Sequence, residues 1–94
     1  MEIIYSPMFE SQLMQIVDYI AIDKPRASIE FALKLEKTIF NLVHSPFKCR
    51  KSVYFDDVNI RDMTYKKYTI TYRVKPIKNE IEILRIFNRN KPTR

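Results

Sequence analysis

The side chains in this sequence best suited to chemistry are cationic groups set into segments that alternate like β-strands. Arg61 lies in the run 58–63, Arg73 in the strictly alternating run 68–74, Arg85 in the apolar run 81–87, and Arg89 just beyond it. Arg50 and Lys51 precede these segments, and Lys66 with Lys67 sits in a predicted turn between two of them. A cation carried on a strand is held at fixed geometry, as one on a loose tail is not. The pattern therefore suits recognition of a phosphate or a carboxylate. Arg61 and Arg85 also allow a purely structural use, cross-strand pairing with Glu80, Glu82 or Asp62, which is worth little energetically.

The remaining reactive inventory is thin. Glycine is absent, which excludes a P-loop, a Rossmann fingerprint and a nucleophile elbow, because each needs a backbone free to take positive φ or to approach a ligand closely. One histidine and one cysteine make no zinc cluster, so neither metal nor cofactor is expected. Asp56 and Asp57 form the one tight acidic pair and read as a turn. His44 falls in the last turn of a predicted helix, where it meets exposed carbonyls. Cys49 stands between Lys48 and Arg50, but without a neighbouring base no redox or catalytic role is expected of it.

The net charge of +6 is unevenly spread: residues 1–47 hold four Lys/Arg against six Asp/Glu, and residues 48–94 hold thirteen against five. The basic half attracts nucleic acid or an acidic protein. At 94 residues, 46% of them hydrophobic, the chain fits a single domain over 1–94 with its own core. No apolar run is long enough to span a bilayer, the N-terminus lacks a basic leader, and the lone cysteine cannot form an internal disulfide. These features predict a cytoplasmic protein without a membrane partner.

The elements that must position the cations follow from periodicity. Residues 1–6 read as a strand, ended by Pro7, which starts a helix capped by Ser6 and striped by Phe9, Leu13, Ile16, Val17 and Ile20. Pro25 opens a second helix, capped by Asp23 or the residue after it. Phe31, Leu35, Ile39 and Leu42 form its stripe, which Ile29, Leu33 and Phe40 are expected to widen. The residues before Pro46 end that helix. Residues 53–55 and 58–63 are expected to pair as a hairpin turned by Asp56 and Asp57. In the next strand Tyr68, Ile70, Tyr72 and Val74 share a packed face, and Thr69, Thr71 and Arg73 a polar or ligand-facing one. The predicted fold is α+β: an N-terminal strand, an antiparallel helix hairpin, then about four antiparallel strands with the helices on one sheet face.

This order of elements resembles the RelE/ParE superfamily of toxins from type II toxin–antitoxin systems, closer to its ParE-like members. The resemblance covers nearly the whole chain. It rests on the opening strand with Ser6-Pro7, Asp18 to Ile20 at the end of the first helix, the Asp23-Lys-Pro25 junction, Leu42, Pro46 and Arg50, then Arg61, the 68–74 strand, and the 81–86 strand followed by Arg89. The chain departs from the family pattern in having Cys49 where a glycine commonly precedes the arginine, and Asn88 where a histidine is common.

The resemblance implies one of two activities: RelE-like toxins cut mRNA on the ribosome, and ParE-like toxins inhibit DNA gyrase by binding. RNA cleavage through the 2′-OH needs a proton acceptor, a proton donor and cations on the phosphate. This chain has the cations, but its end, residues 87–94, has neither the tyrosine nor the histidine usual in the nucleases. The expectation is therefore a plasmid-maintenance or growth-arrest toxin of the ParE kind, with Arg50, Lys51, Arg61, Lys67, Arg85, Asn88 and Arg89 meeting gyrase and no favoured catalytic residue. The alternative is a RelE-like nuclease acting on ribosome and mRNA, with Arg61, Arg85, Lys66 and Lys67 around the phosphate and Tyr65, Tyr68 or Tyr72 substituting in proton transfer. A further alternative is an inactive toxin-fold protein that binds antitoxin. In every case the resemblance implies a cognate antitoxin, contacted through Arg61, Arg73 and Arg85, and DNA binding only through that antitoxin.

Overall fold

The fold begins with a serine that ties two ends of the chain together. In the computed structural model, which describes residues 1–90, Ser6 caps helix α1 (Pro7–Asp23). Its hydroxyl accepts from Phe9 N–H at 3.0 Å and donates to the Leu84 carbonyl at 2.7 Å. Pro7 takes the first helical position, where its missing N–H costs nothing. Strand β1 (Glu2–Tyr5) thus leads directly into a capped helix, as its sequence predicts. The tail, residues 91–94, lies outside the described residues.

Helix α2 (Pro25–Phe40) follows after Lys24 alone, which closes α1 and opens α2 without a side-chain cap. Phe31, Leu35 and Ile39 are buried in the core, joined by Leu42 from a 3-10 turn (Asn41–His44). This turn replaces the last α-helical turn expected before Pro46, tightening the chain as helix ends often do. Ile29, Leu33 and Phe40 do not widen the stripe: they are 62%, 62% and 60% exposed. At about 100° per residue, Ile29 and Leu33 lie some 200° from Phe31, which puts them on the opposite side of the helix.

Five strands form one mixed sheet in the order β1-β5-β4-β3-β2, with β2 (Arg50–Lys51), β3 (Ile60–Tyr65), β4 (Tyr68–Lys75) and β5 (Glu80–Asn88). The last four run antiparallel to their neighbours, while β1 pairs with β5 in parallel. Both helices cover one face, where Phe9, Leu35 and Ile39 meet Ile70, Tyr72, Ile83 and Ile86. Phe31 packs edge-on against both Tyr65 and Tyr68. A register shift between Thr71 and Tyr72 leaves Leu84 as the extra residue in β5, which lets Ile83 and Ile86 both face the core. Beyond β1 the edge of β5 is open, and there Gln12 of α1 accepts from Ile86 N–H at 2.9 Å.

The expected hairpin of 53–55 with 58–63 does not form. Val53 N–H donates to Asp62 Oδ2 and Tyr54 N–H to Ser52 Oγ, so neither is free for a ladder, and the partner of β3 is instead Arg50–Lys51. Residues 52–59 become a strap. Asp57 does turn the chain, accepting from Asn59 N–H at 2.8 Å. Lys66 and Lys67 make the β3–β4 turn as expected, with Lys66 at φ 54°.

Candidate functional site

Strand pairing aligns four side chains in one row across the sheet: Arg50 of β2, Asp62 of β3, Thr71 of β4 and Arg85 of β5. Because neighbours two apart on a strand share a face, Thr69, Phe87 and Arg89 continue the same surface, on the side away from the helices. The alternation in β4 predicts that this face is polar or ligand-facing. Thr69 and Thr71 are instead fully buried, because the strap crosses over them from β2 to β5.

Asp62 is the anchor beneath the strap. Its fully buried carboxylate accepts from Thr71 Oγ1 at 3.0 Å and from Val53 N–H at 3.2 Å, and lies 3.8 Å from the Arg50 guanidinium. A buried charge is tolerable only with such a set of donors. At the far end of the row Arg85 has aromatic company: its Cζ lies 5.0 Å from the Tyr54 ring, 5.3 Å from Phe55 and 4.8 Å from Phe87. Tyr54 and Phe87 themselves meet edge to face. Among the described residues Arg85 has no ion pair, and its buried Nε has no hydrogen-bond partner. The Thr69 hydroxyl, one diagonal away on the same face, is likewise buried and unpartnered. Arg85 is thus fixed by cation–π attraction rather than by an acid, an interaction worth about 0.5–2 kcal/mol depending on desolvation.

The other predicted cations divide between this face and purely structural work. Arg50 and Arg89 flank an open groove of about 380 Å³ floored by Asp62, Met63 and Thr64. Arg89 is held by its N–H on the Lys67 carbonyl and its Nη2 on the Lys66 carbonyl, which brings the Lys66–Lys67 turn beside it. Lys51 lies 3.7 Å from Asp56. Arg61 is not on the outer face. It donates to the carbonyls of Val58, Phe47 and Cys49 and covers the Phe47 ring. Neither Arg61 nor Arg85 takes the carboxylate partners considered for them: Glu82 serves Arg73 and Lys75, and Asp62 serves Arg50. Asn88 pairs opposite Tyr68 and accepts from Asn90 N–H, leaving it apart from the arginine row.

The tyrosines of β3 and β4 stand away from the outer-face arginines, although Lys66 Nζ lies 6.0 Å from the Tyr65 ring centroid and Lys67 Nζ 5.9 Å from that of Tyr68. Tyr65, Tyr68 and Tyr72 belong to the helix-facing core, and Tyr72 Oη donates to the Pro46 carbonyl at 2.6 Å. Burial pushes the Tyr72 phenol well above its ordinary range, with Cys49 adding to the effect and Arg61 opposing it. Burial also raises Tyr68, with a contribution from Tyr19. The phenol that does stand beside Arg85 is Tyr54, which sequence reasoning placed in a strand. Tyr54, Phe55, Phe87 and Asp62 are site residues that only the sheet register and the strap bring together. Among the described residues no group of His, Cys, Asp and Glu could hold a metal ion, and no helix is long and apolar enough to cross a membrane.

A family model for the ParE toxin of the type II toxin–antitoxin system parDE matches residues 3–92. No curated protein matches the chain in sequence. Among solved structures, a chain of the chromosomal ParDE system from P. aeruginosa superposes with a TM-score of 0.76 at 22% identity, over 94% of this chain and 95% of that one. The isolated E. coli RelE toxin superposes with a TM-score of 0.65 at 11% identity, over 97% of this chain and 86% of that one. The identities are low enough that these two likenesses establish the shared α+β fold alone. The family match spans nearly the whole sequence, so the chain belongs to the ParE toxin family of type II toxin–antitoxin systems.

Proposed function

We propose that this chain arrests growth by binding DNA gyrase, without chemistry of its own, and that a cognate antitoxin neutralises it in the cytoplasm. The observation that carries this reading is the composition of the outer face. Arg50, Arg85 and Arg89 are there, while Tyr65, Tyr68 and Tyr72 are turned into the core. Guanidinium groups stabilise negative charge but do not shuttle protons, since they stay charged. Arginines of that kind recognise acidic groups and supply neither the proton donor nor the acceptor that RNA cleavage requires. Arg85, which has no acid partner among the described residues, also suits an acidic antitoxin segment, and the exposed Ile29, Leu33 and Phe40 on α2 offer it an apolar anchor. Arg61 and Arg73, occupied by carbonyls and by Glu82, contribute less to that contact. DNA is then reached only through the antitoxin, and plasmid maintenance would follow from the pairing of stable toxin with its neutraliser.

One observation favours the RelE-like reading on ribosome and mRNA: Tyr54 places a phenol beside Arg85. Two measurements separate the readings. Purified gyrase should lose supercoiling activity in the presence of the chain, and pulse-labelled cells expressing it should stop DNA synthesis before translation. Translation failing first, with cleaved mRNA that disappears in Tyr54→Phe, would overturn the gyrase reading. Absence of growth arrest would leave an inactive, antitoxin-binding fold.

A further inference from the structure

The strap over Arg85 carries apolar surface that it does not bury. Val53 and Val58 are 67% and 59% exposed, and Tyr54 and Phe55 hold Arg85 while part of each ring stays open to solvent. Four large apolar side chains left open on one six-residue segment exceed the single exposed hydrophobics that are normal on a surface. The segment is fixed at several points: Val53 N–H on Asp62, Tyr54 N–H on Ser52, Asn59 N–H on Asp57, and the Val58 carbonyl on Arg61. A segment already ordered loses little entropy on binding. Against Tyr54 and Phe55 of this segment stands Arg85, a cation with no acid partner among the described residues. A guanidinium stacked on rings keeps its donors in its own plane, so the aromatic contacts orient the fork without consuming it.

We infer that residues 53–58 and Arg85 form a docking point for a protein segment in which a carboxylate stands between apolar side chains. The carboxylate takes the outward N–H groups of Arg85, and its apolar neighbours cover Val53, Val58 and the open edges of Tyr54 and Phe55. Arg50 and Arg89 on the same face add attraction for an acidic segment. Two features select a protein over a nucleic acid. The strap holds Asp56 and Asp57 and no cation of its own; Lys51, 3.7 Å from the exposed Asp56, offsets part of that charge, but the remaining acidic balance disfavours a continuous polyanion while an isolated carboxylate can sit clear of it. The rings are also turned toward Arg85 and are no open platform for bases, and valines offer nothing to a phosphate backbone. The inference rests on the gyrase reading only in taking the target to be a protein, and it names the chemistry by which that protein is met.

The test uses the isotope-labelled full chain, followed by NMR at the Arg85 Nε–H and the amides of residues 53–58. The probes are a capped hexapeptide alternating Leu and Asp, its Leu/Asn counterpart, and a ten-nucleotide oligothymidylate. The Asp peptide should shift these resonances saturably, with a Kd on the order of 1 mM or tighter, and the Asn peptide should bind at least about tenfold more weakly. Arg85→Gln should abolish the difference between the peptides, and Val58→Ser, a surface change that leaves the fold intact, should weaken both. Equal shifts with both peptides, stronger shifts with the oligonucleotide, or no response would each overturn the inference. Gyrase inhibition is a separate readout: a chain that blocks supercoiling but ignores the Asp peptide refutes the docking point and leaves the functional reading standing.

Discussion

Arg61 and Tyr72 stand opposite each other on β3 and β4, and both spend their polar ends on carbonyls of the loop that leaves the 3-10 turn. Tyr72 Oη reaches Pro46 at 2.6 Å, and Arg61 Nη1 reaches Cys49 at 3.1 Å while its Nε holds Val58 at 2.9 Å. The pair pins both approaches to the outer face, the residues before β2 and the strap after it. An arginine that the sequence offers as a ligand for phosphate is thereby committed to the protein's own backbone.

That commitment predicts a stability effect. Arg61→Ala should cost about 2 kcal/mol, since hydrogen bonds from a charged donor are worth about 1.5–3 kcal/mol each but these are partly exposed. Arg61→Lys should recover little, because an ammonium cannot reproduce a fork that serves several carbonyls. Tyr72→Phe should cost about 1 kcal/mol, and the double variant less than the sum, as both residues hold one loop. Urea midpoints at constant slope would measure this. An Arg61→Ala variant as stable as the parent would show that the carbonyl contacts contribute nothing.

The Arg50–Asp62 pair should behave asymmetrically. Asp62→Ala leaves the Thr71 hydroxyl and the Val53 N–H buried without an acceptor, a loss of about 2–3 kcal/mol. Arg50→Ala removes a more than half-exposed partner at 3.8 Å, worth less than about 1 kcal/mol. Hydrogen exchange at Val53 should accelerate in the first variant and stay unchanged in the second.

Alkaline stability should follow the buried phenols. Tyr72, Tyr68 and Tyr5 are raised above the model-compound value of 10.0 by burial, so the folded state keeps protons that the unfolded state releases. Where the unfolded state binds fewer protons, stability falls as pH rises. The contribution is therefore complete below about pH 10 and declines above it. Tyr72→Phe should flatten that alkaline limb, and phenolate absorbance should show Tyr72 ionising only as the protein unfolds.

The β3–β4 turn offers a gain. Lys66 holds φ at 54° without being glycine, a conformation that disfavours L-residues by about 1–2 kcal/mol. Lys66→Gly should raise stability by about 0.5–1 kcal/mol after the extra entropy of glycine in the unfolded chain is subtracted. At Asn79, where φ is 55°, the same change should gain less, because asparagine tolerates this region. Thermal midpoints of the two variants would test the order.

Much of the fold is legible in the residues themselves. Ser6-Pro7, the Phe31–Leu35–Ile39 row and the alternation through β4 each carry a period or a cap that only one local structure satisfies. The exposed row of Ile29, Leu33 and Phe40 misleads because apolarity alone does not say which side of a helix is inward. Residues 53–55 mislead for another reason: Val, Tyr and Phe favour strands, but the buried Asp62 takes the Val53 N–H and Ser52 that of Tyr54, and the first of these depends on register. The candidate site was partly readable. Arg85 and Arg50 were named from the sequence, yet the rings around Arg85 come from segments thirty residues apart, and no local pattern joins them. Arg61 shares its residue type with Arg85, and sequence alone offers both for one role; only the inward parity of Arg61 on β3, opposite Tyr72, separates them.

The parallel pairing of β1 with β5 has a consequence for how the toxin comes into being. Glu2 to Tyr5 pair with residues 80–83, and the Ser6 hydroxyl that caps α1 is anchored 78 positions further along, on Leu84. During synthesis the first strand and the start of the first helix therefore wait for the last strand to emerge before they gain their partners. Contacts so distant in sequence form late, because loop closure must be met before they reward it. The same strand carries Arg85. The segment that completes the sheet is also the one that delivers the outer-face cation, so a nascent chain acquires its fold and its proposed recognition face in one step.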